Sequence, residues 1–464
     1  MTGIPLLIAF ILAIIIMILM ISKMNIHPFI SILTVSFVLG IIGGIPLNDI
    51  KDASGAVTQQ GISTVIGAGF AGTFTSIGIV IIFGTIIGSL LEKTGAALKL
   101  ADMVVKVVGP KHPELAIQLM GWVVSIPVFC DSGFVILNPI RKAMVKRTGA
   151  SSVAMSVGLS SGLYASHVFI PPTPGPIAAA NTLGVGSDLL LVMGLGLLVS
   201  IPSLVAAYFY AKYIGKKITA KDDVSSDEVV QSYEEIVASY GKLPGGFISL
   251  APIIVPVILM AMSNVSKILG WTGALDNFLR FLGTPIIALA VGLIFGIILL
   301  LQRKQGDQLY TIINDCLKTA GPILFVTAAG GVLGKVIAST NLVQFITDNA
   351  SAFQTVGIFF PFILAAILKT AQGSSTVAIT TSAGIVAPLL TVLGFDSTVG
   401  AALVVMAIGA GAMTVSHAND SYFWVVTNFG GLTTQDGYKT QTAVTFIEGI
   451  FGILGVWILS LILL

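Results

Sequence analysis

Apolar residues run through this chain in long stretches, separated by short polar breaks. The stretches fall at about 4–22, 28–46, 73–91, 114–130, 133–140, 151–170, 187–211, 247–263, 284–302, 318–338, 355–368, 376–393, 398–415 and 441–464. Stretches near twenty residues suit helices that cross a bilayer and are too long for barrel strands. Several are too short to cross alone. Those at 114–130 and 133–140 flank Cys130-Asp-Ser-Gly133, and those at 355–368 and 376–393 flank Lys369-Thr-Ala-Gln-Gly-Ser-Ser-Thr376. Each pair reads as a re-entrant hairpin with a polar tip at mid-membrane, spanning about 114–140 and about 355–393. Two further helices are interrupted, at about 151–180 and about 398–425. The first ends in Pro171, Pro172, Pro174, Gly175 and Pro176, and proline both lacks an N–H and clashes with the preceding turn. The second is broken by Ser416-His-Ala-Asn-Asp-Ser421. Non-helical backbone at that depth survives where protein buries it or where it lines a polar cavity, and paired broken helices mark transporter binding sites.

Composition agrees. The chain has 464 residues, of which 55% are hydrophobic and 9% charged, too little charge to cover a soluble protein of this length. The expected class is an all-α polytopic membrane protein. The net charge of +2 is scattered, which argues against a nucleic-acid partner. Ile4 to Ile21 lacks a basic flank and a small-residue cleavage site, so it reads as a retained span. Arg141, Lys142, Lys146 and Arg147, and then Lys212, Lys216, Lys217 and Lys221, are two basic clusters separated by two spans. Taking both as cytoplasmic puts both termini outside and brings the two hairpins in from opposite faces.

The halves also resemble each other. Gly88 to Asp102 aligns with Gly334 to Asp348 at an offset of 246, and His167 and His417 differ by 250. His27-Pro28 and Gly40 have counterparts in Thr284-Pro285 and Gly296. Matching spans that run in opposite directions make an inverted-topology repeat. The expected layout is a first half at 1–211, a cytoplasmic linker at 212–246 and a second half at 247–464.

Few ionisable groups lie within the spans. Each costs about 2.5–3.5 kcal/mol at the bilayer centre, and such groups usually serve pathways or proton relays. Asp131, Ser132 and Gly133 occupy one hairpin tip, and Gly373, Ser374 and Ser375 the other. A tip exposes the N-terminus of its second arm, whose free N–H groups and dipole favour an anion. Serine hydroxyls there suit a polyol chain. The bland alternative is that small residues simply let helices pack closely. Lys369 would offset a substrate's charge, snorkel to the interface or pair with a carboxylate. His167 and His417 stand beside the two breaks, and histidine is a natural proton carrier. If the turn after His417 stays helical, Asp420 shares its face and its proton. Asn419 adds a further hydrogen-bonding group. Glu448, in the last span, reads as a packing or interface residue. No metal-ligand motif, nucleotide fingerprint or cysteine cluster appears, so no metal and no cofactor is expected. A Ser-His pair alone is weak evidence for a hydrolase.

Cys130-Asp-Ser-Gly133, His167 through Pro176, Gln372-Gly-Ser-Ser-Thr-Val-Ala378 and Ser416 through Trp424 together resemble the gluconate permease family of proton symporters, across essentially the whole chain. Many members carry histidine where this chain has Thr173, so the resemblance gives that position no proton or substrate role here. It implies a homodimer of elevator type, in a bacterial inner membrane. The resulting expectation is a proton-coupled symporter, not an enzyme, for a small hydroxylated monocarboxylate, gluconate first. Asp131, Ser132, Gly133, His167, Gly373, Ser374, Ser375, His417 and Asn419 are expected to hold substrate. Asp131, His167, His417 and Asp420 are the candidates for the proton. A D-serine or glycerate symporter, a sodium-coupled carboxylate carrier, an intramembrane enzyme and a channel stand as alternatives.

Overall fold

A computed structural model describes residues 2–24, 26–109, 112–220, 243–348, 357–418 and 420–464. The first half contains α1 (Gly3–Ser22), α2 (Pro28–Ile42), α3 (Ile62–Lys93), α4 (Ala96–Val108), α5 (Pro113–Val124), α6 (Cys130–Thr148), α7 (Ser152–Phe169), α8 (Pro174–Thr182) and α9 (Leu189–Ile214). The second contains α10 (Gly246–Ile268), α11 (Ala274–Leu282), α12 (Pro285–Gln302), α13 (Leu309–Ala338), α14 (Leu342–Asp348), α15 (Phe359–Gln372), α16 (Ser375–Val386), α17 (Thr398–Met413), α18 (Ser421–Phe429) and α19 (Ala443–Leu463). Among the described residues, eight helical segments are long and apolar enough to cross a membrane. Most of the expected linker, residues 221–242, and residues 349–356, which include the first two of the second expected hairpin, lie outside the described residues.

Local chemistry sets the element ends. Pro28, Pro113, Pro174 and Pro285 open α2, α5, α8 and α12, where a missing N–H costs nothing. The Ser151 and Ser397 hydroxyls accept the Ala154 and Gly400 N–H groups to cap α7 and α17. Gly149 ends α6 in the left-handed conformation, at φ 67°.

Two features depart from the sequence reading. The chain is not wholly helical: β1 (Ile50–Lys51) pairs antiparallel with β2 (Val57–Gln59). The Asp52 carboxylate accepts the Ser54 and Ala56 N–H groups at 2.8 and 3.0 Å and so folds the turn between them. Helix α3 also starts eleven residues before the apolar stretch at 73–91. Gly69 in its first part gives α13 room to pack against it. A Cβ on Gly69 would stand 2.8 Å from the Val332 Cα.

Helices α7 and α17 form the centre. Every residue of α7 is buried, as is α17 from Gly400 to Met413. Around them pack α5, α9, α15, α16 and α19. A second group, α2, α3, α10, α12 and α13, packs mainly within itself and meets the first through α8 and α16.

Candidate functional site

Two helix breaks and two short interhelical turns supply the site. Helix α7 stops at Phe169 and α8 begins at Pro174. Helix α17 stops at Met413 and α18 begins at Ser421. The turn before α6 covers Ser125 to Phe129, and the turn between α15 and α16 is Gly373-Ser374. Gly373 has φ 83°, a conformation that glycine adopts without a Cβ penalty.

Three helix N-termini meet here, those of α6, α16 and α18. The Ser421 hydroxyl donates to Asp131 Oδ1 at 3.2 Å, which joins the starts of α18 and α6. The Lys369 amine, wholly buried, donates to the Gly373 carbonyl just ahead of α16. It also pairs with Asp420 Oδ2 at 2.6 Å. Asp420 in turn caps α18 by accepting the Tyr422 N–H at 3.1 Å, and it accepts the Ser416 hydroxyl at 2.5 Å. One lysine therefore ties the entry of α16 to the entry of α18.

Aromatic rings from α7 and α18 cover this cluster. The Lys369 amine lies 5.7 Å from the Tyr164 ring centre, within cation–π range. Tyr164 lies nearly parallel to His167, their ring centres 6.4 Å apart, and Phe129 flanks His167 at 5.9 Å. The Tyr422 ring sits 5.1 Å from Tyr164, and its hydroxyl donates to the Ser160 carbonyl at 3.0 Å. Tyr164 also engages the Ser375 side chain at the start of α16. His167 is buried, and its Nδ1 has no hydrogen-bond partner.

The structure thus gathers Asp131, His167, Gly373, Ser375 and Asp420. Ser132 is half-buried in the first turn of α6. Gly133 is buried against Leu163, whose Cδ2 would meet an added Cβ at 2.5 Å. Ser374 is exposed and caps α16 by accepting the Val377 N–H at 3.3 Å. His417 takes a separate partner, with its Nε2 lying 2.9 Å from the Thr370 carbonyl. The helical face expected of His417 and Asp420 does not form. Residues between Met413 and Ser421 leave the helix, Val415 has φ 60°, and Asp420 turns to Lys369, Ser416 and Tyr422. Asn419 lies outside the described residues.

Sequence reading left the Lys369 partner open and passed over Tyr164, Tyr422, Ser416 and Ser421. Its one available signal was adjacency: Tyr164 stands one turn before His167, and Ser421 follows Asp420. Arg141 was read as part of a cytoplasmic basic cluster, yet it is fully buried. Its guanidinium donates to Asn138 Oδ1 at 2.8 Å, Ser152 Oγ at 2.6 Å and the Phe429 carbonyl at 3.2 Å, fastening α6 to α7 and α18.

Residues 4–462 match the GntP family permease profile. The chain belongs to the GntP family of permeases. This permease is 32% identical to an uncharacterized permease of Haemophilus influenzae, over 93% of this chain and 87% of that one. It is 30% identical to the gluconate permease of Zymomonas mobilis, over 94% of each chain. Its fold is similar to that of MtrF of Neisseria gonorrhoeae, with a TM-score of 0.63, 15% identity, and coverage of 96% of this chain and 97% of that one. The protein is therefore a multi-pass membrane transporter, and its Ser-His pairs are not those of a hydrolase.

Proposed function

We propose that this permease is a proton-coupled symporter that brings a small hydroxylated monocarboxylate, gluconate first, across the bacterial cytoplasmic membrane. The buried Lys369 amine at the meeting of three helix N-termini carries the proposal, because positive helix ends and an ammonium favour a carboxylate. The gluconate permease among its relatives supports the same substrate class. Ser132, Ser374, Ser375, Ser421 and Asn419 supply hydroxyl and amide groups for the polyol, alongside backbone freed by the breaks.

Charge balance supports proton coupling. Lys369 faces two carboxyl groups, Asp131 and Asp420, so the cluster has formal charge −1 before substrate enters. A monoanion would raise that to −2 in a buried site, which is costly. A proton arriving with the substrate removes the excess. Asp131, which has no cation within salt-bridge distance among the described residues, is the natural receiver; His167, His417 and Asp420 are the other candidates.

The architecture proposed is an inverted repeat working as a homodimeric elevator, with the hairpins entering from opposite faces, both termini outside and 212–246 cytoplasmic. The order of elements supports the repeat: α7-break-α8-α9 in one half matches α17-break-α18-α19 in the other. Thermal-shift binding of purified protein to C3–C6 hydroxy acids and D-serine tests the substrate class. Stabilisation by gluconate and related sugar acids is expected; stabilisation by D-serine alone would sink the assignment. Uptake into proteoliposomes should follow an imposed pH gradient. Uptake that requires sodium and ignores pH would overturn the proton reading.

A further inference from the structure

The last helix holds a carboxyl group that the site does not use. Glu448 in α19 is fully buried, and neither carboxyl oxygen has a hydrogen-bond partner. Its backbone carbonyl accepts the Ser203 hydroxyl of α9 at 2.8 Å, so the helix is firmly seated there. Among the described residues, no charged side chain lies within salt-bridge distance of the carboxyl group.

Glu448 is not isolated from that site. Thr445 and Glu448, three residues apart in α19, share one helical face, and Gln441 stands in the π-helical turn, residues 438–442, that leads into it. Gln441 Oε1 accepts the Ser160 hydroxyl at 2.5 Å, and its amide nitrogen is itself without a partner. Thr445 Oγ1 accepts the Ser416 N–H at 3.0 Å, and the Ser416 hydroxyl goes on to Asp420. This polar stripe runs along the back of the second helix break. Helix α19 also packs on α7, α9 and α17, the helices that carry the site.

A carboxylate buried with neither donor nor counter-charge is far more costly than the neutral acid. An acid in such a place inside a membrane is retained for what its proton does. We propose that Glu448 is a second proton-binding group of the transport cycle. It holds a proton in the state seen here and gives it up in the opposite state. Two protons then accompany one monoanion, and each cycle moves one positive charge inward. This inference rests on the proton-coupled reading above.

The test uses full-length protein in proteoliposomes with gluconate and a clamped membrane potential. Without a pH gradient, the wild-type accumulation ratio should rise about 50-fold per 100 mV, the equivalent of about 2.3 kcal/mol per charge. Glu448→Gln keeps the neutral form permanently. It should still accumulate gluconate on a pH gradient while losing the dependence on potential, and Glu448→Asp should restore part of it. A Glu448→Gln variant with wild-type potential dependence overturns the inference, as does a wild type that responds to pH but not to potential. A wild type that follows neither gradient sinks the proton-coupled reading itself. Should Glu448→Gln fail to fold, a hydrophobic carbodiimide, which modifies neutral buried carboxyls, gives a second readout on the wild type. A mass-spectrometric adduct at Glu448 that falls as the medium is made alkaline during turnover is expected. No adduct at any pH overturns the inference.

Discussion

Replacing Lys369 with methionine removes one half of a pair that is 0% exposed on the lysine side and 6% on the aspartate side. Breaking a buried ion pair by deleting one partner costs about 3–5 kcal/mol, because the other charge is left uncompensated. The local donors decide where in that range each variant falls. After Lys369→Met, Asp420 still accepts the Ser416 hydroxyl at 2.5 Å and the Tyr422 N–H at 3.1 Å, so the loss should be about 3 kcal/mol. After Asp420→Asn, Lys369 keeps the Gly373 carbonyl and the Tyr164 face but no carboxylate, so the loss should be nearer about 5 kcal/mol. The double variant removes both charges and should lose less than the summed single losses of about 8 kcal/mol, by a coupling energy of about 2–4 kcal/mol. Thermal unfolding in detergent reads this out. Scaled to a chain this long, the single variants should melt roughly 3–5 °C lower. Gluconate uptake should vanish in all three, since each loses the positive group or its placement. Single-variant losses that simply add in the double variant would show that the two side chains do not act as a pair and would refute the reasoning.

Three further outcomes follow from geometry. A Cβ on Gly162 would lie 1.9 Å from the Gln118 carbonyl oxygen, so Gly162→Ala should force α5 and α7 apart at about 3 kcal/mol or more, seen as loss of monodisperse protein in size-exclusion chromatography. Gly373→Ala puts a side chain at φ 83°, which should cost about 1–2 kcal/mol and weaken gluconate binding together with the melting temperature; unchanged affinity would detach that turn from the site. Outside the membrane segments, the Gly61 N–H donates to Asp49 at 2.6 Å and, with the Thr64 hydroxyl, holds the Asp49 carboxyl below its ordinary range. A lowered value stabilises the fold above the unfolded pKa, and that stability is lost as pH falls through the folded one. Protection factors of residues 44–61, referred to the intrinsic exchange rate at each pH, should therefore fall in acid, and Asp49→Asn should show the same lowered protection at neutral pH.

The two interruptions were legible because their causes are local. Proline at 171 and 172 cannot continue α7 and Pro174 and Pro176 fit only the first turn of a new helix, while the polar run Ser416–Ser421 is conspicuous against apolar flanks. The starts of α6 and α16 were legible from the Gly and Ser residues near Asp131 and Gly373. Partnerships were not. Lys369 and Asp420 are 51 positions apart, and sequence alone left three fates open for the lysine. The role of Arg141 was not legible either, because a basic residue near a span end looks the same in sequence whether its side chain is exposed or joins three helices. Glu448 reads from sequence as a packing or interface residue because its span looks peripheral to the repeat, and the contacts of α19 with α7, α9 and α17 are not legible there. In a lipid-soluble chain apolar residues cover every face, so hydrophobicity marks the spans but not which side meets protein.

The contact between the two helix groups bears on how the proposed carrier would move. Helices α3 and α13 touch the site-bearing elements through glycines. A Cβ on Gly84 would meet the Pro172 carbonyl at 2.9 Å, and one on Gly88 the Pro127 carbonyl at 2.2 Å. Gly334 approaches the Gly384 carbonyl at 2.5 Å on the same measure, and Gly384 that of Gly330 at 2.3 Å. These contacts fall beside the helix break, the turn before α6 and helix α16, the parts that form the site. Large interlocking side chains would have to change rotamer before one surface passed another. Backbone resting on backbone has little to interlock, so small sliding displacements meet less resistance. A cleft of about 420 Å³ lined by Gly69, Gly72, Gly331, Gly334 and Lys335 opens along the same boundary. The glycines are thus where the proposed elevator motion would have to slide. A site that stays in place has no need of a smooth boundary behind it.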